Sequence, residues 1–171
     1  ALGLATPVAI MTATGKGASL GVLYKDAEAL QRTRDINCVL LDKTATITEG
    51  KPKVSDFLVF DEGGVNVKAL AAGIESNSNH PLAKCICEYC GEGAAVEHFE
   101  YVVGKGATVE YNGKRYVLGN RALLGGIRVS KEVGARAEEL SAQGKTVMFL
   151  ADESKALALF AVTDEVKPTS G

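Results

Sequence analysis

Cys38-Val39-Leu40-Leu41 is an unbroken apolar run that halts at a carboxylate, Asp42. A strand with one solvated face alternates apolar and polar residues, whereas a parallel strand covered on both faces is apolar throughout. The run therefore predicts a strand over 36–41 in an α/β arrangement. Ligands of open α/β sheets gather at the carboxyl ends of strands, which is where Asp42 stands. The residues that follow, Lys43-Thr44-Ala45-Thr46-Ile47-Thr48, add one cation and three hydroxyls at alternate positions. A carboxylate can attack a γ-phosphate to give an aspartyl-phosphate while cations, hydroxyls, backbone amides and Mg²⁺ neutralise the equatorial oxygens. By composition alone, an ordinary polar loop after a strand accounts for the segment equally well.

The remaining composition narrows the function classes. With 171 residues, 46% hydrophobic and 23% charged, the chain can bury a real core. Its formal net charge of −2 and the absence of a long basic run argue against nucleic acid as a partner. Four cysteines, three of them at 85, 87 and 90, do not make a disulfide scaffold and suit a reducing environment. Residues 1–13 are apolar apart from Thr6 and Thr12 but shorter than the ~20 residues of a membrane span, which suggests the stub of one. The start at Ala1 suggests a piece of a longer protein.

Local patterns predict the other elements. Asp26-Ala-Glu-Ala-Leu30 suits a short helix, and Val54–Phe60 a strand closed by the Asp61-Glu-Gly-Gly64 turn, with a hinge near Pro52. Helices are expected over 67–76 and 81–89, the second with Pro81 in its first turn, joined by Ser76-Asn-Ser-Asn79. Asn112-Gly113, between Val109, Tyr111, Tyr116 and Leu118, marks a type I′ hairpin. Ser130, Val133, Ala137, Leu140 and Gly144 outline a capped amphipathic helix, followed by strands over 146–151 and 156–163.

Further constellations carry candidate chemistry. Glu75 and His80 flank a loop, with Pro81 opening the next helix, and an imidazole there can stack on or hydrogen-bond to an adenine ring; Asn79 as a helix cap beside a merely polar His80 is the plain alternative. Gly104-Lys105-Gly106 before a strand lets a ligand approach the backbone, as does many an ordinary turn. Cys87 and Cys90 in CxxC spacing, with Cys85, could hold a soft metal, although a helix would point 85 and 87 apart and small helix cysteines explain them as well.

Asp42–Thr48 resembles the phosphorylation motif of P-type ATPases, Asp-Lys-Thr-Gly-Thr-Leu/Ile-Thr, at six of seven positions. The resemblance implies that Asp42 is phosphorylated, that Lys43 and Thr46 hold the phosphoryl group, and that Asp42 and the Thr44 carbonyl meet Mg²⁺. The related phosphatases of the haloacid-dehalogenase-like family carry a second Asp where this chain has Thr44. A hydroxyl is a poor proton shuttle near neutral pH, so Thr44 points to a persistent phosphoenzyme. The departure is Ala45 in place of glycine; a β-carbon costs ~1–2 kcal/mol where the backbone needs positive φ, so weak phosphorylation is expected.

Glu75, His80 and Pro81 resemble the Ser-Glu-His-Pro motif of the heavy-metal branch, with Asn79 in place of its glutamate. Gly104, Gly106, Gly119 and Asn120 match its Gly-x-Gly and Gly-Asn pairs, and Asp164 with Lys167-Pro168 its Asp-x-x-Lys-Pro motif. The resemblance thus implies one ATP pocket around Glu75, His80, Pro81, Gly104, Gly106, Gly119 and Asn120, with Asp164 and Lys167 supporting the phosphorylation domain. The implied fold is α/β: an antiparallel sheet flanked by helices, inserted in a partial Rossmann-like phosphorylation domain. Its expected divisions are 1–21 membrane-helix stub and connector, 22–52 first part of the phosphorylation domain, 53–161 nucleotide domain and 162–171 return.

Ala1-Leu-Gly-Leu-Ala-Thr-Pro7, Gly15-Lys-Gly-Ala18 and Gly21-Val-Leu23 resemble the copper branch. The implied partners are ATP, Mg²⁺, transported Cu⁺, and a pump's membrane helices and actuator domain. The implied setting is the cytoplasmic face of a membrane, the 171-residue piece itself being soluble. The later Gly-Asp-Gly-x-x-Asn-Asp motif and the Thr-Gly-Glu-Ser segment are absent from the sequence, so the piece alone is expected to be inactive. Three functions follow as alternatives: ATPase segment, ATP-binding module without turnover, and Cys-based metal-binding domain.

Overall fold

The computed structural model describes residues 2–170, apart from the side chains of Leu2 and Thr44. Two compact units are present, Ala1–Leu41 and Asp42–Gly171. In the first, helix α1 (Leu2–Ser19) is followed by α2 (Ala27–Arg32), whose amino end is capped by the Asp26 carboxylate accepting from Ala29 N at 2.7 Å. No helix among the described residues is long and apolar enough to cross a membrane.

The strand expected over 36–41 does not form; the segment has no regular secondary structure, with Leu40 93% exposed. A parallel strand exists only through its neighbours, and no strand pairing among the described residues involves this run. Its apolar pattern fits burial on both faces, yet residues 36–41 are exposed.

The second unit is built on one six-stranded, wholly antiparallel sheet in the order β1-β6-β5-β4-β3-β2. The strands are β1 (Thr48–Val59), β2 (Glu97–Val102), β3 (Gly106–Tyr111), β4 (Lys114–Gly119), β5 (Thr146–Asp152) and β6 (Ala156–Val166). Period-two alternation sends side chains to two cores. Tyr116, Leu118, Met148 and Leu150 pack on one face with α3 (Val67–Glu75) and α4 (Pro81–Cys90). Val117, Phe149 and Ala151 pack on the other with α6 (Lys131–Ala142), whose Val133, Ala137 and Leu140 are buried as its pattern predicts. The short α5 (Arg121–Leu124) follows β4.

The α/β class, with an antiparallel sheet flanked by helices, is therefore as expected, and Asn112 and Gly113 at φ 52° and 71° make the I′ hairpin. β2 and α5 had no prediction. Pro52 lies inside β1, beside an irregularity in its pairing with β6.

Candidate functional site

At the end of the sheet where α3 meets α4, residues from four chain segments, the last being Thr146 and Met148 of β5, line a cavity of about 220 Å³. Glu75 ends α3, and Ser78 and His80 follow in the connecting loop. The Ser78 hydroxyl accepts from His80 N at 3.2 Å. His80, not Asn79, is the cap of α4: its Nδ1 accepts from Leu82 N at 3.2 Å. With Nδ1 accepting, a neutral ring carries its proton on Nε2 and presents it as a donor.

Gly104 and Gly106 bring the second segment. Asn120 ties that turn to the third, donating through Nδ2 to Gly104 O at 2.8 Å while its backbone N donates to Lys105 O at 2.8 Å. Its Oδ1 caps α5 by accepting from Ala122 N at 3.0 Å and Leu123 N at 3.3 Å. Gly119 lines none of the described cavities; a β-carbon there would lie 2.2 Å from Lys105 O, so this glycine lets β3 and β4 approach. Pro81 lines two adjoining recesses, one of them a groove of about 770 Å³ that runs past Lys84 to Lys51 and Lys53 on β1. Ser78, Tyr101 and Lys105 also line the cavity and had not been singled out. Lys105 sits between the two glycines, which was the available signal.

Glu75 is 5% exposed, and burial pushes its carboxyl from the ordinary 4.5 up to about 7, offset in part by the Ser78 hydroxyl. A buried carboxyl lacking a cation favours its neutral form. No ion pair to Glu75 occurs among the described residues.

The Asp42 loop is a separate assembly, and none of residues 42–48 lines the cavity. Asp42, exposed and extended (φ −66°, ψ 141°), precedes one π-helical turn, Lys43–Ile47. Ala45 within it has φ 62°, the left-handed region that favours glycine. Thr48 anchors the turn: its hydroxyl donates to Asp164 Oδ2 at 2.5 Å and accepts from Ala45 N at 3.2 Å. Asp164 Oδ1 also accepts from Lys51 N at 3.1 Å. Lys167 donates through Nζ to Ala45 O at 2.5 Å, and Lys43 through Nζ to Gly144 O at 3.4 Å. The structure thus joins Asp164 and Lys167 to the loop through side-chain bonds. Thr46 is exposed, and the Thr44 side chain lies outside the described residues.

The cysteines divide by burial. Cys85 is buried and donates through Sγ to Leu82 O at 3.0 Å, and burial pushes the Cys85 and Cys90 thiols up to about 11. Thiols so protonated are poor metal ligands near neutral pH. No group of three His, Cys, Asp or Glu side chains among the described residues is placed to hold a metal ion.

The haloacid dehalogenase-like hydrolase family model matches residues 36–171. The copper-transporting P-type ATPase of Rhizobium leguminosarum bv. viciae is 43% identical over 176 residues, covering 99% of this chain and 21% of that protein. The copper-exporting P-type ATPase of Legionella pneumophila subsp. pneumophila is 41% identical over 177 residues, covering 99% and 24%. Among solved structures, a zinc-transporting PIB-type ATPase in its E2.Pi state superposes with a TM-score of 0.68 at 26% identity, over 96% of this chain and 28% of that one. The chain thus spans under a quarter of the length of these two sequence relatives. It belongs to the haloacid dehalogenase-like hydrolase family, and the two sequence relatives above, each aligned with 99% of this chain, are a copper-transporting and a copper-exporting P-type ATPase.

Proposed function

We propose that this chain is the ATP-binding and phosphorylation segment of a copper-transporting P-type ATPase. The observation that carries this reading is the convergence of Glu75, His80, Gly104, Gly106 and Asn120, distant in sequence, on one cavity. Open glycine backbone at the rim suits a ligand that approaches the main chain: a β-carbon at Gly104 would meet nothing within 4 Å. The adenine enters beside His80, with its phosphates directed along the groove towards Lys51 and Lys53.

In the intact pump a carboxylate oxygen of Asp42 attacks the γ-phosphorus, the bond from that phosphorus to the bridging oxygen breaks, and ADP leaves with the electron pair. Lys43 and Thr46 hold the transferred group. Mg²⁺ sites of this kind use one or two carboxylates plus substrate phosphates, and Asp42 is the exposed carboxylate that suits the role, with Thr44 as its neighbour. The phosphorylation domain takes residues 22–52 and 162–171, and the nucleotide domain 53–161, with 1–21 leading from a membrane helix. The partners are that membrane portion, an actuator domain and transported Cu⁺, at the cytoplasmic face of a membrane.

Calorimetry of the chain with ATP, ADP and Cu(I) tests the reading. ATP binding that is lost in His80→Ala supports it, and Cu(I) binding without ATP binding overturns it. The left-handed Ala45 favours a second reading for the chain by itself, an ATP-binding module without turnover.

A further inference from the structure

Phe99 and Tyr101 lie two positions apart on the edge strand β2, and both line a recess of about 500 Å³ beside the cavity. They are covered to different degrees. Phe99 packs against the core that α3 and α4 share with the sheet, whereas Tyr101, one step further along the same face, is 46% exposed. In the pairing of β2 with β3, Tyr101 stands directly opposite Ala107. Opposed residues of an antiparallel pair project on the same side of the sheet. Ala107 is buried and has only a methyl group to offer, so the space beside the Tyr101 ring is left open, and both residues line the 220 Å³ cavity there.

His80, from the loop before α4, lines the cavity and the recess as well. Among the described residues, Tyr101 and His80 are the two aromatic side chains of the cavity wall. Strand propensity accounts for a tyrosine anywhere on β2. It does not account for a half-covered ring set beside a buried alanine at the wall of a cavity. Such a ring offers a flat apolar face to another ring while its hydroxyl stays in water.

We propose that Tyr101 is a base-stacking residue, the wall on the sheet-edge side of the cavity against which the face of the adenine ring lies. The inference rests on the nucleotide-site reading above and adds to that site a residue from β2. Stacking reads the area of a flat face and not a hydrogen-bonding edge, so Tyr101 favours purines over the smaller pyrimidines and leaves the choice between adenine and guanine to other groups.

The test compares ATP with CTP, which carry the same phosphates and differ in the base, by NMR titration of the 171-residue chain. With ring-labelled tyrosine, wild type should show nuclear Overhauser effects between a tyrosine ring and adenine H2 or H8, and upfield shifts of those protons. Tyr101→Phe keeps the ring and should bind ATP within about twofold of wild type. Tyr101→Thr keeps a good strand former at an exposed position and should lose about tenfold in ATP affinity, as loss of base–aromatic stacking does, with a smaller loss for CTP. ATP bound by wild type without a tyrosine-to-adenine effect, or bound equally by Tyr101→Thr, overturns the inference while leaving the nucleotide site standing; so does an equal loss in Tyr101→Phe, which would assign the contact to the hydroxyl. Failure of the wild-type chain to bind ATP overturns the nucleotide-site reading itself, and this inference with it.

Discussion

Lys167 reaches back to Ala45, its Nζ donating to the Ala45 carbonyl at 2.5 Å across a gap of 122 positions in sequence. Beside it, Lys167 N and Ser170 Oγ donate to Ile47 O, both at 2.9 Å, so the segment after β6 is bonded to the turn that follows Asp42. Removing the ammonium in Lys167→Met should cost about 1 kcal/mol, since a charge-assisted bond at an exposed site is worth less than a buried one. Urea unfolding gives the loss, and amide exchange over residues 43–48 should rise more than elsewhere.

Ala45→Gly relieves a β-carbon at φ 62°. The left-handed conformation costs a non-glycine residue ~1–2 kcal/mol, and the freer unfolded chain of glycine returns ~0.4–1 of it, so a net gain of about 0.5–1 kcal/mol is expected. Thermal melts of the chain check the stability. In the full-length protein the same substitution should raise phosphoenzyme formed from ATP; equal levels in the two would sink the idea that Ala45 limits phosphorylation.

Glu75 should give stability an unusual pH slope. Its folded carboxyl titrates near 7 against an ordinary 4.5, so between those values the folded state holds more protons than the unfolded one. Stability from this group is then greatest below about 4.5 and falls as pH rises through 7. Glu75→Gln should remove that slope and be more stable above pH 7 by on the order of 2 kcal/mol. Urea midpoints at pH 5 and pH 8 measure both effects, and parallel slopes in the two proteins would count against them.

His80 does two jobs that substitutions can separate. Losing the Nδ1 cap in His80→Ala should destabilise α4 by ~1 kcal/mol and weaken ATP binding together. Asn caps well but has no ring, so His80→Asn should keep the melting temperature and still lose ATP affinity. Equal ATP affinity in His80→Asn and wild type would remove the imidazole from the binding site.

Gly106 and Gly119 face one another across β3 and β4. A β-carbon on Gly106, at φ 143°, would sit 2.2 Å from Leu118 O and 2.5 Å from Gly119 Cα, with backbone on both sides. Either alanine should cost more than about 2 kcal/mol by prying the hairpin apart, and should reduce ATP binding with it.

Much of this architecture is legible from local chemistry. The α6 stripe, the Asn112-Gly113 turn and Pro81 at the first position of α4 each have a short-range cause, and each is where its cause places it. β2 was not legible: Glu97-His-Phe-Glu-Tyr-Val102 mixes charge with aromatics, and its strand state comes from pairing with β3 at the sheet edge. The run at 38–41 misleads in the opposite sense, since apolar texture states a need for partners without supplying them. Of the site, Glu75 and His80 could be named, but not the unusual chemistry of each. The burial of Glu75 depends on α4 and the sheet folding around it, and the capping role of His80 depends on Nδ1 of its ring facing Leu82 N.

Thr48 and Val166 are partners in the antiparallel pairing of β1 with β6. The long excursion between them therefore departs and returns at adjacent points, like a stitch drawn closed. Two strands cross-linked by a hydrogen-bond ladder resist being pulled apart far more than they resist twisting. A rotation applied at that paired root would carry the six-stranded unit round as one body, Glu75 and His80 included, with the cavity walls undisturbed.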